Sequence, residues 1–133
     1  MSKTNRILIV EDHKPSQDLA SRILKLRNYS VSAANNGDDA IREMETHEVD
    51  LVLLDILLPG LSGMDVLKWI HGHRPKIPII VISSLDKDGK VAKEAKNLGA
   101  LDFIGKPVNY NDLLRKVDSA LHNDPSPPLE SLF

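Results

Sequence analysis

Leu51-Val52-Leu53-Leu54 runs directly into Asp55. An apolar run with no polar alternation is the pattern of a strand covered on both faces, at the centre of a parallel sheet. Working outward toward the N-terminus, Tyr29 to Ala34 reads as a further strand, closed by Asn35-Asn36-Gly37. Ala40, Ile41 and Met44 mark a short helix between it and the central run. Earlier still, Ile7-Leu8-Ile9-Val10 is a β-branched run too short for a helix and stopped by Glu11-Asp12. Pro15 suits the first turn of the next helix, where its missing N–H is not needed. Leu19, Ile23 and Leu26, with Leu24 beside them, recur at helical spacing.

Toward the C-terminus, Pro59-Gly60 and Gly63 break the chain, and Met64, Leu67 and Ile70 form a third helical stripe. Pro75 and Pro78 frame the strand Ile79-Ile80-Val81-Ile82. A fourth helix is expected over Lys90 to Asn97, stopped at Leu98-Gly99, and a fifth strand over Leu101 to Ile104. Asn109 with Asp112 reads as a capping pair for a fifth helix carrying Leu113, Leu114, Val117, Ala120 and Leu121. Strands alternating with helices imply an α/β fold: a doubly wound, five-stranded parallel sheet with five helices on its two faces. Periodicity stops after His122. The domain is therefore expected over residues 1–122, with 123–133 a proline-bearing tail or linker stub.

The 133 residues fit one domain that needs no disulfide or metal staple. A formal charge of −2 lacks the basic footprint of a nucleic-acid binder and of a polybasic membrane anchor. With no cysteine there is no thiolate nucleophile and no sulfur-ligated metal. No apolar run approaches the roughly 18 residues of a membrane span, and Glu11 ends the only early apolar stretch, unlike a signal peptide. A cytoplasmic protein is expected.

Open parallel sheets bind ligands outside the carboxyl ends of their strands. Here Glu11-Asp12 follow the first strand, Asp55 ends the third, Ser83 ends the fourth and Lys106 follows the fifth. Singly, each reads as a solvated loop residue or cap. Together they are chemically coherent. Clustered carboxylates repel, so one binds a proton or the group recruits a cation, and hard oxygen ligands in a hydrated site suit Mg²⁺. A carboxylate such as Asp55 can attack phosphorus to form an aspartyl phosphate. A cation, Lys106 and the Ser83 hydroxyl would then stabilise the transferring oxygens.

With these residues in place the sequence resembles the receiver domain of two-component response regulators, over about Arg6 to Leu121. The motifs are Ile7-Leu8-Ile9-Val10-Glu11-Asp12, Leu53-Leu54-Asp55-Ile56-Leu57-Leu58-Pro59-Gly60-Leu61-Ser62-Gly63, Ile82-Ser83-Ser84 and Gly99-Ala100-Leu101-Asp102-Phe103-Ile104-Gly105-Lys106-Pro107. The resemblance implies a flavodoxin-like strand order 2-1-3-4-5. It implies that Asp55 accepts a phosphoryl group from a histidine kinase or phosphotransfer protein. Mg²⁺ would be held by Glu11, Asp12, Asp55 and the Leu57 backbone carbonyl. Ser83, Ser84 and Lys106 would serve the phosphoryl group, Phe103 would occupy the aromatic switch position, and the Lys106–Pro107 bond would be cis. The surface of the fourth helix, fifth strand and fifth helix would then control a downstream partner or an output domain, with a phosphorylation-dependent dimer allowed. Such a chain catalyses only its own phosphorylation and dephosphorylation and is not otherwise an enzyme.

Several positions depart from the commonest family pattern. Ser83 stands for threonine and Phe103 for tyrosine. Ser83-Ser84-Leu85 with Leu101-Asp102-Phe103 is similar to the receiver half of a chemotaxis methylesterase. The segment Leu85 to Gly89 is slightly long, and Leu57 and Leu85 are apolar where the family often has polar residues that position water, which implies slow self-dephosphorylation. Rival readings are weaker. An aspartyl-nucleophile phosphatase wants an acid two residues after Asp55, where Leu57 stands, and no glycine-rich nucleotide loop follows the first strand. A receiver cut from a larger regulator and a receiver acting by contact alone remain as alternatives. His13 reads as a loop residue, and His71 and His73 as a solvated loop, since no matching metal ligands stand nearby. Trp69 lies off the third helical stripe and is expected to be partly covered.

Overall fold

The apolar runs become strands β1 (Arg6–Val10), β2 (Ser30–Ala34), β3 (Leu51–Asp55), β4 (Ile79–Ser84) and β5 (Asp102–Lys106). They alternate with helices α1 (Lys14–Leu26), α2 (Gly37–Thr46), α3 (Gly63–His73), α4 (Lys90–Asn97) and α5 (Tyr110–His122). In the computed structural model, which describes residues 4–58, 60, 62–84 and 89–122, the strands form one parallel sheet in the order β2-β1-β3-β4-β5. This is the doubly wound, flavodoxin-like arrangement expected from the sequence. The expected tail, residues 123–133, lies outside the described residues, as do Pro59, Leu61 and residues 85–88.

Successive strand residues point to opposite faces, so each apolar run feeds two cores. Leu8, Val10, Val52, Leu54 and Val81 pack with Ala40, Met44, Val66, Leu67 and Ile70 of α2 and α3. Ile7, Ile9, Leu51, Leu53 and Ile80 pack with Ala20, Leu24, Leu113 and Val117 of α1 and α5. All five residues of β3 are buried, which is why its sequence shows no alternation. Side-chain caps start three helices: Asn36 Oδ1 accepts from Asp39 N at 2.8 Å, Ser62 Oγ from Asp65 N at 3.2 Å, and Asn109 Oδ1 from Asp112 N at 3.1 Å.

The structure corrects the sequence reading in four places. The buried face of α1 is Gln17, Ala20 and Leu24, whereas Leu19 is exposed and Leu26 is 78% exposed. A second apolar stripe runs beside the buried one, and periodicity alone selects the richer stripe over the one that fits the sheet. Tyr29 precedes β2 and does not belong to it: after Asn28 turns the chain at φ 66°, the Tyr29 hydroxyl donates to Asp118 on α5. Arg27 Nη1 reaches the other oxygen of Asp118 at 2.8 Å. Burial and then the Asp118 hydrogen bond and charge push the Tyr29 pKa above its usual value. Leu101 likewise stays outside β5 and exposed, its N–H bonded to Ile79 O at 2.8 Å. Finally, His71 and His73 lie in α3 and not in a loop. The His71 ring covers Gly99, and His73 stacks on the partly buried Trp69 with ring centroids 4.3 Å apart.

Gly63 is the close approach that sets the loop after β3. Its N–H donates to Ile56 O at 3.1 Å, and a β-carbon there would overlap the Ile56 backbone next to Asp55. Gly72, on the same helix, faces open space. Gly63→Ala is therefore expected to lower unfolding free energy by about 1–3 kcal/mol. Gly72→Ala should raise it by about 0.5–1 kcal/mol, through helix propensity alone. Urea unfolding of the two variants checks the contrast.

Candidate functional site

β1, β3 and β5 end at one rim, and each delivers a charged side chain there. Glu11 continues β1, its N–H donating to Ala34 O at 3.0 Å, and it is only 7% exposed. Asp55 ends β3 and is 4% exposed. The β4–β5 register sets Gly105 opposite Ser83 and Lys106 opposite Ser84, which brings the ammonium of Lys106 back across the sheet. Lys106 Nζ lies 2.7 Å from Asp55 Oδ2 and 3.3 Å from Glu11 Oε1. The second Asp55 oxygen accepts from Leu57 N at 2.8 Å, and Glu11 Oε2 accepts from His13 N at 3.4 Å. The Lys106–Pro107 peptide bond is cis.

Asp12 is exposed beside this pair. Carboxylate oxygens of Glu11, Asp12 and Asp55 all fall within 4.8 Å of one another. Burial, followed by a hydrogen bond and repulsion from Asp55, raises the Glu11 pKa against the opposing pull of Lys106 and the His13 N–H. For Lys106, burial disfavours the charge, but the hydrogen bond and charge of Asp55 and the charge of Glu11 outweigh it and raise the pKa. The ammonium stays charged, and among the described residues one positive charge faces three carboxyl groups. That surplus of hard oxygen donors fits a divalent cation such as Mg²⁺ or Ca²⁺.

The sequence-predicted residues fall into two groups. Glu11, Asp12, Asp55 and Lys106 come together in the cluster. Leu57 stands beside it, hydrogen-bonded to Asp55 and 66% exposed. Ser83 is buried at the end of β4, its hydroxyl 3.4 Å from Ser84 O, a long contact that leaves the hydroxyl weakly held. Ser84 is exposed at the same strand end. Phe103 is half-buried and packs against the core shared by α2 and α3. His13 stands at the N-cap position of α1 without a side-chain cap to the backbone, its Nδ1 2.7 Å from Ser16 Oγ.

Two residues escaped the sequence reading. Tyr110 lines a cavity of about 280 Å³ between α1, α5 and the sheet, which has Glu11, Asp55 and Lys106 at one end. Burial, and then the charge of Glu11, raise the Tyr110 pKa. Gln17 is buried on α1 against the Glu11 backbone. Its place on the Gln17/Ala20/Leu24 face is the only signal the sequence carries for it.

Residues 7–118 match the family model described as response regulator receiver domain. A curated relative from Thermotoga maritima, named cyclic di-GMP phosphodiesterase, is 38% identical over 117 residues. That alignment takes in 88% of this chain and 31% of the relative, so the chain spans about a third of the relative's length. Among solved structures, a CheY-like receiver domain protein from Methanospirillum hungatei superposes with a TM-score of 0.86 at 31% identity, covering 91% of this chain and 96% of that one. The receiver domain of NtrX from Brucella abortus gives 0.83 at 32% identity, covering 89% and 99%.

The raised Glu11 pKa has a consequence for stability in metal-free solution. A carboxyl whose folded pKa lies above its unfolded value gives its full stabilisation below about pH 4.5, and loses it as pH rises through the folded value. Glu11→Gln removes that titration. The stability of the variant relative to wild type is expected to rise between pH 4 and pH 7 in EDTA, as read from urea midpoints. A difference independent of pH would contradict the electrostatic assignment.

Proposed function

The chain belongs to the response regulator receiver domain family, and we propose that it is a phosphorylation-dependent signalling switch with Asp55 as the phospho-acceptor. The single observation that carries this reading is the buried Asp55 carboxylate, 2.7 Å from Lys106 and inside a cluster of acidic groups spanning 4.8 Å. A histidine kinase or phosphotransfer protein is the donor. An Asp55 oxygen forms the new bond to phosphorus as the P–N bond of the phosphohistidine breaks, and the departing electron pair stays on the imidazole nitrogen. Glu11, Asp12 and Asp55, with the Leu57 backbone carbonyl, would hold a Mg²⁺ ion, which would supply positive charge for the phosphoryl oxygens. Lys106, 2.7 Å from Asp55 Oδ2, pairs with the phosphoryl group in this reading. The Ser83 hydroxyl, weakly held in this state, turns to another of its oxygens, with Ser84 beside it.

Phosphorylation replaces one carboxylate with a group of about −1.5 to −2 charge and new acceptor oxygens. Drawing Ser83 inward opens space near the start of α4, and Phe103, only half-buried, turns toward it. The α4–β5–α5 surface then changes for a downstream partner, an output domain or a second copy of the chain. In this reading the chain acts on itself alone and on no separate substrate, in the cytoplasm, without binding nucleic acid or membrane. Among the described residues no helix is long and apolar enough to cross a membrane.

A second reading makes the chain the receiver module of a larger regulator, such as a chemotaxis methylesterase. Its support is that the Thermotoga relative is matched over 31% of its length. Both readings share the switch and differ in what it controls.

Intact mass after incubation with Mg²⁺ and acetyl phosphate tests the switch. One phosphoryl adduct is expected, absent with EDTA and in Asp55→Asn. No adduct would leave a receiver that works by contact alone. The apolar, exposed Leu57 beside Asp55 offers no hydrogen bond to an attacking water. Leu57→Asn is therefore expected to shorten the phospho-form lifetime several-fold, followed by loss of the adduct after the donor is removed.

A further inference from the structure

We infer that Gln17 is a positioning residue that clamps the backbone around Asp12 and so preorganises the cation site, an inference that rests on the metal reading proposed above. Gln17 is 3% exposed on a helix whose other buried residues are apolar. Burying a primary amide is unfavourable unless its donors and acceptor are met. Here they are met by the ends of two strands. Nε2 donates to Glu11 O at 2.9 Å and to Asn35 Oδ1 at 3.0 Å, with Ala34 O at 3.5 Å, and Oε1 accepts from Lys14 Nζ at 3.3 Å. The backbone N–H of Gln17 donates to His13 O at 3.0 Å. The Gln17 side chain thus holds the Glu11 carbonyl next to Asp12, while the first backbone bond of α1 holds that of His13 on the other side.

That arrangement answers a mechanical problem. Beyond Glu11 the chain has left the sheet, and Asp12 is exposed. An exposed carboxylate on a free loop loses conformational entropy when it binds a cation, whereas one on a fixed backbone loses less. Gln17 fixes that backbone from below, and Asn35 ties Gln17 in turn to the end of β2.

The test is Mg²⁺ affinity by calorimetry, together with backbone ¹⁵N order parameters for Asp12 and His13 in metal-free protein. Gln17→Met keeps the shape of the side chain and removes its donors. It is expected to weaken Mg²⁺ binding roughly 10-fold, the size typical of lost second-layer support, and to lower the Asp12 order parameter. Asn35→Ala, on the surface, should weaken binding less, and adding it to Gln17→Met should cost almost nothing more, because both act through one amide. Ala20→Gly, a destabilising change on the same face, should lower the melting temperature and leave Mg²⁺ affinity unchanged. If wild type binds Mg²⁺ and Gln17→Met binds it equally well, the inference falls and the metal reading stands. If wild type takes up no Mg²⁺, the metal reading falls, and an Asp12 that stays rigid in Gln17→Met overturns the clamp as well. Should Gln17→Met fail to fold, an unchanged Mg²⁺ affinity and unchanged Asp12 dynamics in Asn35→Ala overturn it.

Discussion

Glu11 and Asp55 are both less than a tenth exposed, and Lys106 is the cation that reaches them both. Carboxylates so placed repel each other and resist burial, so they persist only where something else fixes them. The sheet does this. β1 and β3 are neighbours in the middle of the strand order, covered on both faces, and β5 returns Lys106 to them across β4. The two hydrophobic cores stabilise the fold enough to hold an acidic rim that by itself works against folding. The raised pKa of Glu11 expresses that tension, and a cation or a transferred phosphoryl group changes its balance.

Lys106 has a second effect. Its contact with Asp55 spans the sheet from β5 to β3, so any new charge on Asp55 is felt at β5 and at the start of α5. Ser83 stands between them on β4, with its hydroxyl in a long contact that a better acceptor can replace. A local change in charge can therefore travel along the backbone of two adjacent strands without an intermediate domain.

The strands were legible because buried parallel strands are written as continuous apolar runs, and Leu51 to Leu54 has no other good reading, whereas their order followed only from the family resemblance. The carboxylates were legible because each follows such a run directly. The facing of α1 was not. Leu19 and Leu26 outvote Ala20 by hydrophobicity, yet the small alanine is what fits close to the sheet. Gln17 was invisible for a related reason: its burial is made favourable by carbonyl groups at two strand ends, and no periodicity encodes those. Tyr29 looked like a strand residue because aromatic residues favour strands, but its hydroxyl is held by Asp118, 89 positions away in the chain.

That long-range contact also divides the molecule mechanically. Arg27 and Tyr29 fasten the α1–β2 turn to Asp118 on α5, with His122 Nε2 3.4 Å from the same tyrosine hydroxyl. α5 itself buries Leu113, Leu114 and Val117 against the α1 side. By contrast, the fully buried part of α4 is Ala95 alone among its described residues, and it is capped by Gly89 without a side-chain hydrogen bond. An element with little buried apolar area has a low local free energy of rearrangement. α4 is therefore held less firmly than α5, which is fastened through Asp118. That asymmetry of anchoring leaves the α4 end of the proposed output surface freer to rearrange than its α5 end.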